Sequence, residues 1–460
     1  MKRRTFGLLA TTSLATLKFG GARAQTARDP SLLKTTLTPI GAERAGNADG
    51  SIPAWTGGYT TIPAGWVPGT FMPSPFDGEA STLTIDSSNM AQYADKLSDG
   101  VKEMMTKFGF SIEVYPTHRS AAYPQWIYDN VAQNCVSATL NPGGGRLGFE
   151  NAYGGFPFPI PDINNPLDAG AQIVWNHNAR WQSSARVWRD WGFAVSGGSP
   201  VLSSSSIDTY IFPYYYKDGS LASYNGSQFR LNSVNDGPPN LVGQVINVWE
   251  SSDPAKYPQL AWEVLAGQGR VRKAPEIAFD TPAENTDGIS NYDEDYGFNG
   301  SLQEYDWKYL GKQEMYVPYH NNKLVGSAPY PVHLPHFFDP KVVRWELHRV
   351  WVVEATLHPG QRNVLARRKF YVDEDTWVAN IVDAWDANNV LYHVNLTYNI
   401  VRPDLPGTIQ CQNTVHDMQT GNYTSDSGPF NEIAEPSIKF MDMVAEAQFD
   451  PQNMAANSQY

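Results

Sequence analysis

Between Lys341 and Leu357 the chain alternates. Val343, Trp345, Leu347, Trp351, Val353, Ala355 and Leu357 share one parity, interrupted only by Arg349, while Arg344, Glu346, His348, Glu354 and Thr356 share the other. A period of two over this length predicts a long, half-buried strand. Strand-like runs at 363–372, 376–385 and 390–401 follow behind turn residues. Together they predict an antiparallel meander. Upstream, pairs of strands are expected at 207–217 with 221–231, joined at Asp218-Gly219-Ser220, and at 241–250 with 259–267. Further strands are expected at 307–310 and 314–319.

Two stretches carry helical periodicity instead. Met90, Tyr93, Leu97, Val101, Met104 and Phe108 recur every three or four residues and predict a helix over 87–108. Trp175, Asn178, Trp181, Ala185 and Trp188 predict another over 168–188, capped by Asp168, and a shorter helix is expected at 125–136. The pattern gives a mainly β (α+β) chain: a large curved antiparallel sheet with a few helices on its concave side.

Residues 1–24 read as a signal peptide. Lys2, Arg3 and Arg4 precede a short apolar run, and Ala22-Arg23-Ala24 offers a small-x-small cleavage site. Arg3-Arg4-Thr5-Phe6 is similar to a twin-arginine export signal. The leader holds five cations and no acids. The mature chain of 436 residues therefore keeps 29 basic against 47 acidic residues, a net charge of −18. That balance argues against nucleic acid and anionic lipid surfaces as partners. No cysteine follows the apolar run, so no lipid anchor is expected, and the mature protein is expected in the periplasm. Residues 25–85 are rich in Pro and Gly and predict an extended arm held by Ile52, Trp55, Tyr59, Trp66 and Phe71. Residues 86–460 then form one large β-rich domain. Cys135 and Cys411 are the two cysteines, expected as buried thiols rather than a disulfide framework.

Chemistry-bearing motifs are sparse. The nucleophile elbow, the phosphate loop and the H-E-x-x-H zinc signature are all missing. His333 and His336 are too poorly supported by nearby ligands for a metal site, and Asp293-Glu294-Asp295 lacks calcium-loop spacing and reads as a solvated loop. No cofactor is expected. Glu346 and His348, with Arg344 alongside and Glu354 further on, could form an acid–base row, or simply the polar side of a strand. Arg349 needs either a carboxylate such as Asp383 or the polar head of a ligand. The aromatic face around it is either core or cavity wall. In the cavity reading, Trp345, Leu347, Trp351 and Val353 form the wall, Met104 and Phe108 the lid, and Arg349 the head-group contact.

Several blocks carry a family resemblance: LTPIGAERAGNADGSIPAWTGG at 37–58, EVYPTHRSAAYP at 113–124, GGFPFPIP at 154–161, IVWNHNARW at 173–181, GQGRVRKAP at 267–275, GFNGSLQEYDWKYLGKQEMYVPY at 297–319 and RWELHRVWVVEATL at 344–357. Together they resemble the exported family called Domain of Unknown Function 1329. The resemblance implies an incomplete antiparallel barrel like the lipoprotein carriers of the Lol system, enclosing an apolar cavity. It also implies work beside an inner-membrane exporter of the resistance-nodulation-division type. The expected function is a periplasmic carrier for a lipid or other hydrophobic molecule, with no catalytic set. The competing readings are a periplasmic hydrolase of lipid or aromatic esters built around Glu346 and His348, and a glycan-binding envelope-assembly protein using exposed Trp.

Overall fold

The computed structural model describes residues 28–141, 145–274, 279–426, 428–430 and 438–457. The leader 1–24 and its cleavage site lie outside them. Sixteen strands join one sheet. In chain order they are β1 (Leu83–Ile85), β2 (Ile112–Val114), β3 (Ala185–Ser196), β4 (Ser199–Ile211), β5 (Ser227–Gly237), β6 (Val245–Ser251), β7 (Leu260–Val264) and β8 (Val271–Lys273). There follow β9 (Tyr305–Pro318), β10 (Trp345–Leu357), β11 (Arg367–Asp373), β12 (Ala379–Trp385), β13 (Leu391–Arg402), β14 (Gly407–Asp417), β15 (Tyr423–Asp426) and β16 (Lys439–Met441). The path across the sheet is β1-β2-β10-β11-β12-β13-β14-β15-β3-β4-β5-β6-β7-β8, with β9 paired to β10 and β16 to β3. It has two ends, so the barrel is not closed. One parallel contact, Trp345 with Val114, makes the sheet mixed.

The meander after β10 forms as the alternation predicts, and β14 and β15 extend it. The two strand runs before β10 are one strand, β9, with a bulge between Tyr309 and Gly311. The connection after β4 is not a tight hairpin. β4 ends at Ile211 and β5 begins at Ser227, so Asp218-Gly219-Ser220 sits within a longer excursion.

The helices differ more from expectation. The stretch 87–108 splits into a 3-10 turn (Met90–Lys96) and α1 (Asp99–Phe108). Ser98 causes the break: its hydroxyl accepts the Val101 N–H at 3.1 Å, a standard N-cap, and donates to Asp383 at 3.0 Å. α2 (Gln125–Ser137) lies where expected. α3 (Pro166–Asn178) is capped by Asn165 rather than Asp168, with Pro166 in the first turn where its missing N–H costs nothing. It ends ten residues early, because from Ala185 the chain is already strand.

Neighbouring residues on β10 show how the layers are arranged. Val352 packs in the cluster that holds Val101, Met104 and Met105 of α1. Val353 packs in the cluster that holds Ile127 of α2 and Ile173 and Val174 of α3. Adjacent strand residues face opposite ways. The helices therefore cover both faces of the sheet, and the expectation that 87–108 and 168–188 share one concave side gives way to a layer on each face.

The arm has little regular structure, as its Pro and Gly content predicts, yet it is fastened. Ile40 and Ile52 are buried, and the Trp55 indole N–H donates to the Ala121 carbonyl at 2.8 Å. Cys135 and Cys411 are both buried thiols.

Candidate functional site

Burial decides the fate of the aromatic face of β10. Trp345 and Leu347 lie in the cluster that also holds Met104, Trp351 and Val353 in the cluster that also holds Ile173, and Met104 is fully buried. Trp351 stacks on Trp377 with centroids 5.7 Å apart. Phe108, half-buried, stacks on His336 at 4.8 Å. Arg349 meets Glu374 at 3.1 Å, the Ala45 carbonyl at 3.0 Å and Glu43 at 3.7 Å. It does have a carboxylate partner, but that partner is Glu374 and not Asp383, which is bonded to the Ser98 cap instead. These seven residues sit in packed surroundings, and none of them borders the cavity described below.

The polar parity of β10 forms a buried network. Glu346 accepts from the Arg344 Nε at 2.5 Å, from His320 Nδ1 at 2.7 Å and from the His118 backbone N–H at 2.8 Å, with His348 Nε2 at 3.3 Å. The far nitrogen of His320 lies 2.5 Å from the Ser120 hydroxyl. Ser120, His320 and Glu346 thus make a Ser–His–Glu chain of hydrogen bonds. Its connectivity matches that of acyl-transfer nucleophiles, but its setting does not: Ser120 is 3% exposed, bonded also to Thr408 at 2.9 Å, and does not line the cavity described below. Burial would raise Glu346, but His320 and His348 hold it well below the usual carboxylate range. Burial likewise opposes the charge on His348, but Asp373 and Glu346 outweigh it and lift its pKa to about 9. The arrangement is a charge-balanced lock. It also holds the arm, because Arg344 donates to Glu79 at 2.7 Å and to the Phe76 carbonyl.

Metal ligation finds no better support. His333 bonds the Pro329 carbonyl and Ser425, and His336 bonds the Gly421 carbonyl. His348, Asp373 and Asp375 do converge. Asp375, however, is gripped by both arms of Arg119 at 2.7 and 2.8 Å, so a cation there would have to displace a guanidinium.

The cavity lies in the other half of the sheet. It measures about 300 Å³. One wall is made by alternating residues of β3 to β7: Arg186 and Asp190, then Ser204, Ser206, Asp208 and Tyr210, then Phe229, Leu231, Ser233 and Asn235, then Ile246 and Val248, then Ala261, Trp262 and Glu263. The alternation is the ordinary consequence of a strand presenting every second residue to one face. The opposite wall is the segment 279–299, through Phe279, Ala283, Asn291, Tyr292, Asp295, Tyr296 and Phe298 among others.

That segment is pegged down by acids expected in solvent. Asp293 is 1% exposed and pairs with Arg368 at 2.5 Å; Glu294 is 3% exposed and pairs with His393 at 2.9 Å. β11 supplies the Arg368 counter-charge and β13 the His393 hydrogen-bond partner that make this burial tolerable. The Asp293-Glu294-Asp295 run is therefore an internal fastening rather than a solvated loop.

The sequence reading missed Arg180 and Arg186, both cavity-lining. It placed them on a helix. In the structure Arg180 follows α3 and Arg186 is the second residue of β3, its guanidinium 3.7 Å from the Trp188 ring centroid and 4.4 Å from that of Tyr210. The signal available was alternation: Arg186 and Trp188, then Ser204 to Tyr210, each two apart.

Among the described residues no helix is long and apolar enough to cross a membrane. The model of the family described as "Protein of unknown function (DUF1329)" matches residues 84–455. The uncharacterized protein PA3922 of Pseudomonas aeruginosa is 36% identical over 427 residues, which cover 91% of this chain and 90% of that protein. Among solved structures, a DUF1329 family protein from Desulfovibrio piger is similar over 63% of this chain and 99% of its own, at 15% identity and a TM-score of 0.44. A putative outer membrane lipoprotein-sorting protein domain from Vibrio parahaemolyticus covers the same shares at 12% identity and a TM-score of 0.43. The extent of the family match and of the Pseudomonas relative places this chain in the DUF1329 family.

Proposed function

We propose that this protein is an exported, non-catalytic binding protein or carrier for a hydrophobic small molecule, held between β3–β7 and the segment 279–299. The observation that carries the reading is the cavity itself. Its volume of about 300 Å³ falls at the lower edge of the range, about 300–1,000 Å³, of ligand pockets. Its wall includes Tyr210, Phe212, Phe229, Leu231, Ile246 and Val248. Burying about ten methylenes in such a wall contributes roughly 8 kcal/mol, enough to compete with a bilayer for an acyl chain. Periplasmic residence rests on the leader at 1–24, and an inner-membrane exporter of the resistance-nodulation-division type is the partner that the family resemblance favours.

The competing readings have weaker support. The Ser120–His320–Glu346 chain is enclosed, which disfavours a hydrolase. Among the described residues no tryptophan is exposed, which disfavours a stacking platform for glycans. Native mass spectrometry of the exported protein tests the proposal. A bound mass that extracts into organic solvent is the expected result; a chain that never retains an apolar molecule, and fails to take one up when it is offered, overturns it.

A further inference from the structure

Buried arginines in this protein come with carboxylates. Arg119 has Asp375 at 2.7 Å, Arg344 has Glu346 at 2.5 Å, Arg368 has Asp293 at 2.5 Å and Arg402 has Asp404 at 2.9 Å. Arg180 and Arg186 do not. Their exposures are 6% and 0%, and among the described residues no carboxylate oxygen lies within 4.0 Å of either guanidinium. Their polar partners are neutral: Arg180 donates to the His177 carbonyl at 2.6 Å, and Arg186 to Gln182 at 2.6 Å and to the Tyr296 hydroxyl at 3.3 Å. Each keeps a buried Nε without any partner. A buried cation without a counter-charge is costly, so two in one wall call for an explanation.

Strand register shows what lies next to them. Arg186 is opposite Tyr210, Tyr210 opposite Leu231, Leu231 opposite Val248, and Val248 opposite Ala261. All five line the cavity. They form one row across five strands, cationic at one end and apolar along the rest. At about 4.8 Å per strand the row is roughly 19 Å long. The Arg186 guanidinium carbon lies 3.7 Å from the Trp188 ring centroid and 4.4 Å from that of Tyr210, and Arg180 lies 5.5 Å from the Tyr296 ring centroid. Both cations are therefore positioned before any ligand arrives.

We propose that the cavity takes an amphipathic anion, its carboxylate or phosphate head received by Arg180 and Arg186 and its hydrocarbon laid along Tyr210, Leu231, Val248 and Ala261. This rests on the carrier reading and narrows it to one ligand class. A flat guanidinium fork suits either oxyanion. The wall also holds acids. Asp208, bonded to Ser206, is raised to about 6 by burial, against the bonds from Ser233 and Ser206 and the charge of Arg186. Glu263 is paired with Arg272, and Asp190, Asp295 and Asp426 have interactions of their own. Burial, and then the neighbouring charge of Arg186, push Arg180 down to about 9 against the pull of Tyr296 and Asp295, as expected of a cation still short of its counter-ion.

The test uses three probes of equal chain length: dodecanoate, dodecyl phosphate and dodecanol, each displacing an apolar dye from delipidated, full-length mature protein. The expected result is at least tenfold tighter binding of an anion than of dodecanol. The tighter of the two anions then distinguishes a fatty-acid source from a phospholipid one. Arg180→Met should abolish the preference for the anions over dodecanol, and leave the melting temperature unchanged or raised, since it removes an unpaired buried charge. Arg180→Gln serves if the Met variant does not fold. Equal affinity of wild type for all three probes overturns the anion assignment and leaves the carrier reading standing. An anion preference that survives both Arg180→Met and Arg186→Met also overturns it. Binding of none of the three overturns the carrier reading as well.

Discussion

The guanidinium of Arg186 lies 3.7 Å from the ring centroid of Trp188, two residues along the same strand, and both side chains are fully buried. The indole thus serves as core and as the platform that orients a cavity-lining cation. Trp188→Phe keeps an aromatic face and should cost less than about 1.5 kcal/mol. Trp188→Ala opens a hole and should cost about 3–5 kcal/mol. Urea titration followed by circular dichroism checks both. If the platform matters for the ligand, Trp188→Phe retains apolar probe binding while weakening it.

The Ser120–His320–Glu346 chain should behave as a lock and not as an active site. Ser120→Ala removes one hydroxyl from a buried network and should cost about 1–3 kcal/mol by leaving the far ring nitrogen of His320, Nε2, without its partner. Glu346→Gln leaves Arg344, His320 and His348 facing a neutral group and should cost about 3–5 kcal/mol. Folded wild type should not react with a fluorophosphonate; labelling at Ser120 would show that the arm opens and would revive the hydrolase reading.

The meander and α2 were legible because their apolar periods are long and uninterrupted. The family blocks were legible because they are ordered along the whole chain. The cavity was not, and the reason is local. Around 180–188 the aromatic spacing of Trp175, Trp181 and Trp188 fits a helix as well as a strand. On a helix, residues 180 and 186 would point about 120° apart, at about 100° per residue. On the real chain, α3 stops at Asn178 and β3 starts at Ala185, so the two arginines meet at one cavity. The acids at 293–295 misled for another reason. Their partners Arg368 and His393 come from strands 75 and 99 residues away, a pairing that composition does not reveal.

His348 makes stability depend on alkaline pH. Its folded pKa of about 9 lies above the ordinary 6.5. A raised histidine contributes its full stabilisation below about 6.5 and loses it as pH climbs through about 9. The difference amounts to about 3 kcal/mol at about 1.4 kcal/mol per unit. Wild type should therefore lose stability between pH 7 and 9.5 relative to His348→Gln, whose profile across that window should be flatter. Parallel profiles for the two proteins would show that His348 is neutral in the fold.

Two substitutions to tryptophan separate core from cavity. Leu347 is 5% exposed in a packed cluster beside Trp345, Val350 and Val352. An added ring there has no space, so Leu347→Trp should overpack and cost about 1–3 kcal/mol. Ile246 borders the cavity of about 300 Å³. Ile246→Trp should fill space that is already present, leaving stability within about 1 kcal/mol of wild type or above it, as cavity-filling changes commonly do. The ligand effect should run the opposite way. Ile246→Trp should abolish uptake of an apolar probe, because the ring occupies the volume beside Leu231 and Val248, whereas Leu347→Trp should leave uptake intact in whatever fraction remains folded. Thermal melts and dye binding on the same samples measure both quantities. Loss of binding in Leu347→Trp with retention in Ile246→Trp would move the ligand from the β3–β7 wall to the face of β10.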